Sequence, residues 1–194
     1  MNERPTPDTE RAKYERVWTH DDYRRVSPGE KGVDFAIEQM GWQKGQHILD
    51  LGCGTGRATF KLVEAGMRAI GVDTADNAPT PGVGIHFIQH CLTSPMGAFT
   101  PAPDGFCTDV MEHIPPHLVE TVLRNIADAC QSVFFGIAHF PDSWHGETLH
   151  LTVRPPEWWA DILSNHFSTV DRLTGFNIRR DDLNSYWRCS NGPA

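Results

Sequence analysis

No stretch of this chain approaches the roughly 20 consecutive apolar residues that cross a bilayer. Its first residues, Met-Asn-Glu-Arg-Pro, lack the apolar centre of a secretory signal. A cytoplasmic protein is expected. Cysteine is scarce and poorly spaced for pairing. The five residues, Cys53, Cys91, Cys107, Cys130 and Cys189, form no CxxC pair and are odd in number. That excludes a disulfide framework and a cysteine-based zinc site as organising principles. Basic residues are also in deficit: 17 against 25 acidic ones, for a net charge of −8. Binding to nucleic acid draws on Lys and Arg to neutralise phosphates, so the balance disfavours it. The basic doublets, Arg24-Arg25 and Arg179-Arg180, read as solvated surface. Internal repeats and low-complexity segments are absent.

What remains is an ordinary globular composition of single-domain length, 194 residues with 39% hydrophobic. Residues 1–8 are polar with two prolines and are expected to be disordered. A helical pattern rich in charge and aromatics runs from about Thr9 to Arg25. Ser27-Pro-Gly-Glu30 carries the signature of a helix start with a capping box. The helix it opens places Val33, Ala36, Ile37 and Met40 on one face and ends at Gly41. His47–Leu51, Arg68–Asp73, Ile85–Ile88, Asp104–Asp109 and Ser132–Ile137 read as strands. Helices are expected over Arg57–Ala65, Pro116–Cys130 and from Pro155 onward, where one of Trp158 and Trp159 belongs to the core. The segment from Thr74 to Gly84, with Pro79, Pro81 and Gly82, leaves no room for a full crossover helix. From Ser168 to Cys189 the pattern alternates like an antiparallel pair. Strands alternating with helices predict an α/β, Rossmann-like, doubly wound sheet, mostly parallel, with helices on both faces and an antiparallel C-terminal hairpin. The expected organisation is an N-terminal segment and cap helix over residues 1–27, then one ligand-binding domain over 28–194.

The turn Asp50-Leu-Gly-Cys-Gly-Thr-Gly56 joins a strand to a helix. In open α/β sheets that is where ligands bind. Glycines there allow positive φ and close approach of a ligand to the backbone. A dinucleotide fingerprint requires a further glycine at position 57, which is Arg. Asp50, two residues before the first glycine, would repel a pyrophosphate and suits a cationic ligand instead. Asp73 stands at the end of the next strand, where a carboxylate can accept hydrogen bonds from both hydroxyls of a ribose.

Taken with Gly71-Val-Asp73 and with Asp109-Val-Met-Glu-His113 followed by Ile-Pro-Pro116, this turn resembles the class I methyltransferases that use S-adenosylmethionine (SAM). The resemblance covers roughly residues 28–175 and is similar to short stand-alone bacterial and phage forms. It implies SAM as cofactor. Asp50, Gly52, Cys53 and Gly54 would line its methionine end, Asp73 and Thr74 its ribose, and Cys91 and Leu92 its adenine. Cys91 stands where the family has a carboxylate for the adenine amine. Asp109 would sit near the transferring methyl, and His113 is the candidate general base. Glu112 and His113 could equally just cap the following turn. Tyr14, Trp18, Tyr23 and Arg24 on the N-terminal helix either close over cofactor and substrate or form a satellite hydrophobic cluster.

A second polar cluster holds His139, Asp142, Trp144, His145, Glu147 and His150. It is expected to line the substrate pocket through His139, His145 and His150. The spacing of these histidines matches no helical ligand pair, so no metal is expected. The resulting expectation is an enzyme that methylates a small molecule. A nucleic-acid methyltransferase is the runner-up. The Asp/Asn-Pro-Pro-Tyr motif of amino-methylating DNA enzymes is missing at Asp109-Val-Met-Glu112, and no cysteine follows a proline as in cytosine C5 enzymes. A SAM-binding protein without catalysis is the remaining alternative.

Overall fold

The structure, a computed structural model, describes residues 4–97, 103–176 and 183–192. The Arg179-Arg180 doublet lies outside the described residues. Among the described residues nine strands form two sheets, a main one of seven and a small one of two. Strands β1 (His47–Leu51), β2 (Arg68–Asp73), β3 (His86–Gln89), β4 (Asp104–Thr108) and β5 (Ser132–Ala138) run parallel. Strands β8 (Thr169–Leu173) and β9 (Asn184–Ser190) complete the main sheet in antiparallel pairing, with β9 inserted between β5 and β8. The order is β3-β2-β1-β4-β5-β9-β8, while β6 (Ser143–Trp144) and β7 (Glu147–Thr148) form a separate small hairpin. The mostly parallel sheet with its antiparallel C-terminal pair is the architecture expected from the alternation.

Strands β1, β4 and β5 are buried along almost their whole length because both faces of the sheet are covered. Neighbouring residues in them serve opposite cores. Ile48, Phe106 and Phe134 pack with Val33, Ala36, Trp42 and Leu62. Leu49, Cys107 and Phe135 pack with Val122, Leu123, Ile126 and Trp159 on the other side. The first group is supplied by α3 (Pro28–Met40), the turn after it that carries Trp42, and α4 (Arg57–Glu64), the second by α5 (Val119–Ala129) and α6 (Pro156–Ser164). Trp159 is the fully buried member of the tryptophan pair. As the prolines between β2 and β3 dictate, no helix forms there.

Three readings near the N-terminus are corrected. Residues 1–8 were expected to lack order, yet helix α1 begins at Pro7 and runs to Val17. Thr6 caps it: its side chain accepts from the Thr9 amide, and the Thr9 hydroxyl accepts from the Thr6 amide. Glutamate is not needed at the third position of that box because threonine supplies the same acceptor. Ser27, by contrast, precedes α3 without any side-chain cap. Glu30 turns instead toward Arg57, 3.7 Å away. The continuous helix expected to Arg25 is broken after Val17 and resumes as the short α2 (Asp21–Arg24).

These helices are strapped across the carboxyl ends of the strands. The Arg24 guanidinium donates to the carbonyls of Trp18, Asn77, Ala78 and Pro79, at 2.9 to 3.1 Å. Arg57, standing where a dinucleotide site needs glycine, donates to the carbonyls of Arg24 and Arg25. On the other flank Lys13 donates to the Thr148 carbonyl at 3.0 Å, and Arg16 pairs with Glu147 at 2.7 Å. Hydrogen bonds from charged donors contribute about 1.5–3 kcal/mol each. Replacing Arg24 with alanine should therefore accelerate amide exchange over residues 7–24 by at least about tenfold. Exchange in β1, β4 and β5 should stay unchanged. Hydrogen-exchange mass spectrometry checks this, and equal protection in both proteins would refute the strap.

Candidate functional site

The strand order reverses between β1 and β4, since β1 pairs with β2 on one side and β4 on the other. Chain leaving the two strands diverges, and a crevice opens beyond their carboxyl ends. A cavity of about 440 Å³ occupies it, roofed by α1 and α2. That is within the usual range for a small-molecule site.

The glycine turn forms its floor. Gly52, Gly54 and Gly56 all have positive φ, at +75°, +51° and +79°. A methyl group added at Gly52 would stand 2.3 Å from Val110, and one at Gly54 would stand 3.0 Å from Trp18. The turn thus exposes bare backbone where side chains cannot fit. Asp73 fixes its shape. One carboxylate oxygen accepts from the Gly54 amide at 2.9 Å and the other from the Ala75 amide at 3.0 Å. Asp50 is buried under the turn and accepts from the Thr59 hydroxyl at 2.6 Å.

Burial raises the pKa of Asp50 to about 7, with the nearby Asp73 charge adding to the rise and the Thr59 hydrogen bond opposing it. Burial also raises Asp73, while its backbone hydrogen bonds pull it down. Asp109 adopts φ +54°, a conformation rare outside glycine, with its amide bonded to the Gly136 carbonyl. Burial raises Asp109 and Glu112, and the Asp109 charge raises Glu112 further. Among the described residues the cavity wall carries Glu10, Asp50, Asp73, Asp109 and Asp142 but no Lys or Arg. An acidic, desolvated wall disfavours phosphates and favours a cation.

The structure brings most of the residues singled out from the sequence to this one cavity. Asp50, Gly52, Cys53, Gly54, Asp73, Thr74, Cys91, Leu92, Asp109 and His113 line it, as do Tyr14, Trp18, Tyr23 and His150. Cys91 lies beyond the end of β3, its sulfur 3.1 Å from the Thr93 hydroxyl. Trp18, Tyr23 and Trp144 pack edge to face, so the aromatics of the N-terminal helices are at once a roof and a cluster.

Three placements differ from expectation. Arg24 is drawn away from the cavity by the four carbonyls it serves. His139 is held outside by the Arg154 carbonyl at 2.7 Å and the Ser185 hydroxyl at 2.8 Å. His145 sits at φ +46° in the β6–β7 turn, exposed and stacked on His20. Sequence reading missed Ser27, Pro28 and Gly29, which line the cavity at the start of α3. Gly29 was the available signal: a Cβ there would meet the Thr108 hydroxyl at 2.3 Å, so the start of α3 comes too close to β4 for any side chain.

His113 is a neutral ring. Its Nδ1 lies 2.6 Å from the Tyr14 hydroxyl and 3.1 Å from the Leu149 carbonyl. Burial, reinforced by His150 and Lys13, lowers its pKa to about 3. A general base works best with a pKa near the operating pH. The environment of His113 therefore argues against the base role expected from the sequence, and for a fixed, neutral hydrogen-bonding group.

No protein-family model matches the chain. A provisionally named methyltransferase of Geobacillus sp. (strain WCH70) is 35% identical over 69 residues, 31% of this chain. The match spans 28% of that relative's length. Among solved structures, magnesium protoporphyrin IX methyltransferase from Synechocystis PCC 6803 with bound SAM is similar at a TM-score of 0.65 and 14% identity, over 94% of this chain and 97% of that one. A provisionally named methyltransferase in complex with the Haloferax volcanii Trm112 methyltransferase activator gives a TM-score of 0.70 at 12% identity, over 92% and 97% of the two chains. The fold is that of the class I SAM-dependent methyltransferases.

Asp50 supplies a test by pH. Its pKa, about 7 in the fold, exceeds the unfolded value of about 3.9. The folded state therefore holds the extra proton, and this contribution to stability is lost as pH rises through 7. Asp50→Asn keeps the acceptor for Thr59 and removes the charge. It should be the more stable protein at pH 8, by a few kcal/mol in denaturant titrations, with the gap closing as pH falls toward 4. A variant less stable than the parent at pH 8 would contradict the burial argument.

Proposed function

We propose that this protein is a methyltransferase that binds SAM in the cavity at the β1–β4 switch and transfers its methyl group to a small molecule. The observation that carries the reading is the acidic glycine cradle: bare backbone at Gly52 and Gly54, with Asp50 and Asp73 beside it and no Lys or Arg on the wall among the described residues. SAM presents an ammonium, a sulfonium and a ribose diol to such a surface. Asp50 and the glycine turn would face the ammonium-bearing end, which offsets the cost of holding a buried carboxylate. Asp73 would accept from the ribose hydroxyls with the oxygen lone pairs left over from its two amide bonds. Cys91 and Leu92 would flank the base. SAM supplies an activated methyl on sulfur, and the transfer is an in-line displacement in which positioning and exclusion of water contribute most.

Asp109, His113 and His150 would then lie at the acceptor end. A neutral His113 orients the acceptor rather than taking its proton. Tyr14, Trp18 and Tyr23 would exclude water, and their rings can attract the sulfonium as they do other cations. The net charge of −8 and the acidic wall favour a small acceptor over nucleic acid. A cytoplasmic location belongs to the same proposal; among the described residues no helix is long and apolar enough to cross a membrane.

Calorimetry with SAM should give one site per chain. Asp73→Ala should weaken it about 100-fold, the value of losing charge-assisted hydrogen bonds and a fixed turn. Affinity should rise about tenfold per pH unit below pH 7 as Asp50 ionises, then level off. Absence of binding, or Asp73→Ala binding as tightly as the parent, would refute the proposal. With an acceptor found by methyl release from a metabolite panel, the pH profile of kcat should show no inflection near 6.5 that His113→Gln removes. Such an inflection would restore the base role.

A further inference from the structure

Beside the cavity, three donor side chains converge that the methyl-transfer reading leaves without a shared task. One donor atom each from Glu112, His113 and His150 lies within 4.8 Å of the others. Glu112 is fully buried. Its Oε1 accepts from the Ala138 amide at 3.0 Å, but Oε2 is buried with no partner. A buried carboxylate oxygen left unmatched costs free energy unless something satisfies it.

The two rings are held as metal-ligating imidazoles are held. Such rings donate one N–H to a carbonyl or carboxylate and present the other nitrogen to the ion. Nδ1 of His150 bonds the Phe140 carbonyl at 2.5 Å, and Nδ1 of His113 bonds the Leu149 carbonyl at 3.1 Å with the Tyr14 hydroxyl beside it. In the tautomer that donates from Nδ1 to these carbonyls, each ring presents Nε2 as its lone-pair nitrogen. The backbone fixes the set. The Glu112 carbonyl accepts from the amides of Leu151 and Thr152, both at 2.8 Å, which ties the segment bearing His150 to the 3-10 turn bearing Glu112 and His113.

We propose that Glu112, His113 and His150 form a binding site for one divalent first-row transition-metal ion. Two nitrogens and one carboxylate oxygen are a donor set of borderline softness that suits zinc, iron, cobalt or manganese, and leaves coordination positions open. Metal–nitrogen bonds of about 2.0–2.1 Å place donors roughly 3 Å apart, so the side chains close on the ion by rotation. His113 and His150 line the cavity, so the ion is reached from it. In sequence His150 stands nearest His139 and His145, but those two are held away from it, by the Arg154 carbonyl and Ser185 hydroxyl and by stacking on His20. The true neighbours, Glu112 and His113, stand about 40 residues earlier in the chain and meet His150 only through the fold.

The test uses the full chain, stripped with a chelator and titrated with Co2+ in the absence of SAM. One equivalent should produce a visible d–d absorption band. Proton NMR of that species should show two solvent-exchangeable, hyperfine-shifted imidazole N–H signals. Glu112→Gln and His150→Gln should each weaken Co2+ binding by about 100-fold or more, since even loss of an outer hydrogen bond costs 10- to 100-fold. His145→Gln, at the exposed stacked pair, should leave the spectrum unchanged. Absence of the band, a count other than two, or affinity that falls with His145→Gln and not with the other two would overturn the proposal. If the buried variants do not fold, the NMR count on the unaltered protein decides. Because no SAM is present, the result stands apart from the outcome of SAM calorimetry.

Discussion

Everything at the candidate site hangs on the bond between the Asp73 carboxylate and the Gly54 amide. It joins the end of β2 to the turn after β1, and a second bond from the same carboxylate to Ala75 fixes the chain leaving β2. The strands alone put these two ends side by side, because β1 and β2 pair in register along their whole length. The carboxylate then turns adjacency into shape. It holds three glycines at positive φ, and those glycines keep the floor of the crevice free of side chains. Without the reversal of strand order at β1 the crevice would not open, and without Asp73 its floor would have no defined contour.

The same site concentrates unfavourable electrostatics. Asp50, Asp73, Asp109 and Glu112 are all displaced upward in pKa by burial, and among the described residues no Lys or Arg on the cavity wall offsets them. A structure selected for stability alone would carry amides or apolar groups at these positions. Clustered groups with perturbed pKa values are a mark of functional sites. Here the sign of the perturbation identifies the complement: positive charge. In the proposed function a sulfonium and an ammonium would answer it along the glycine turn, and in the proposed metal site a divalent ion would answer it at Glu112. The N-terminal helices deepen the effect by shutting out water. Arg24 and Arg57 hold that roof in place by serving backbone carbonyls, so their charges never reach the ligand.

The sheet was legible in the sequence because central parallel strands must be largely apolar on both faces, as Ile48-Leu49 with Leu51 and Val133–Ile137 are. The glycine turn and Asp73 were legible because positive φ and a carboxylate at a strand end each demand particular residue types. Local signals failed where tertiary partners outbid them. Ser27 has the composition of a cap but faces the cavity, and Glu30 goes to Arg57. Arg24 sits on the right helix to reach a ligand, yet four carbonyls of the 74–84 loop and the α1 end claim it. His139 and His145 share a segment with His150, and only His150 is turned inward, because the Glu112 carbonyl grips the residues that follow it. Glu112 itself was visible within Asp109-Val-Met-Glu-His113, but its isolation from water is a property of the fold, and no spacing in the sequence expresses it.

A crystal structure of the protein with S-adenosylhomocysteine tests the central claim most directly. The account predicts ribose hydroxyls within hydrogen-bonding distance of both Asp73 oxygens, the amino group beside the Asp50–Gly54 turn, and the sulfur facing Asp109 and His113. Density for the molecule elsewhere, or an empty cleft at saturating concentration, would contradict it.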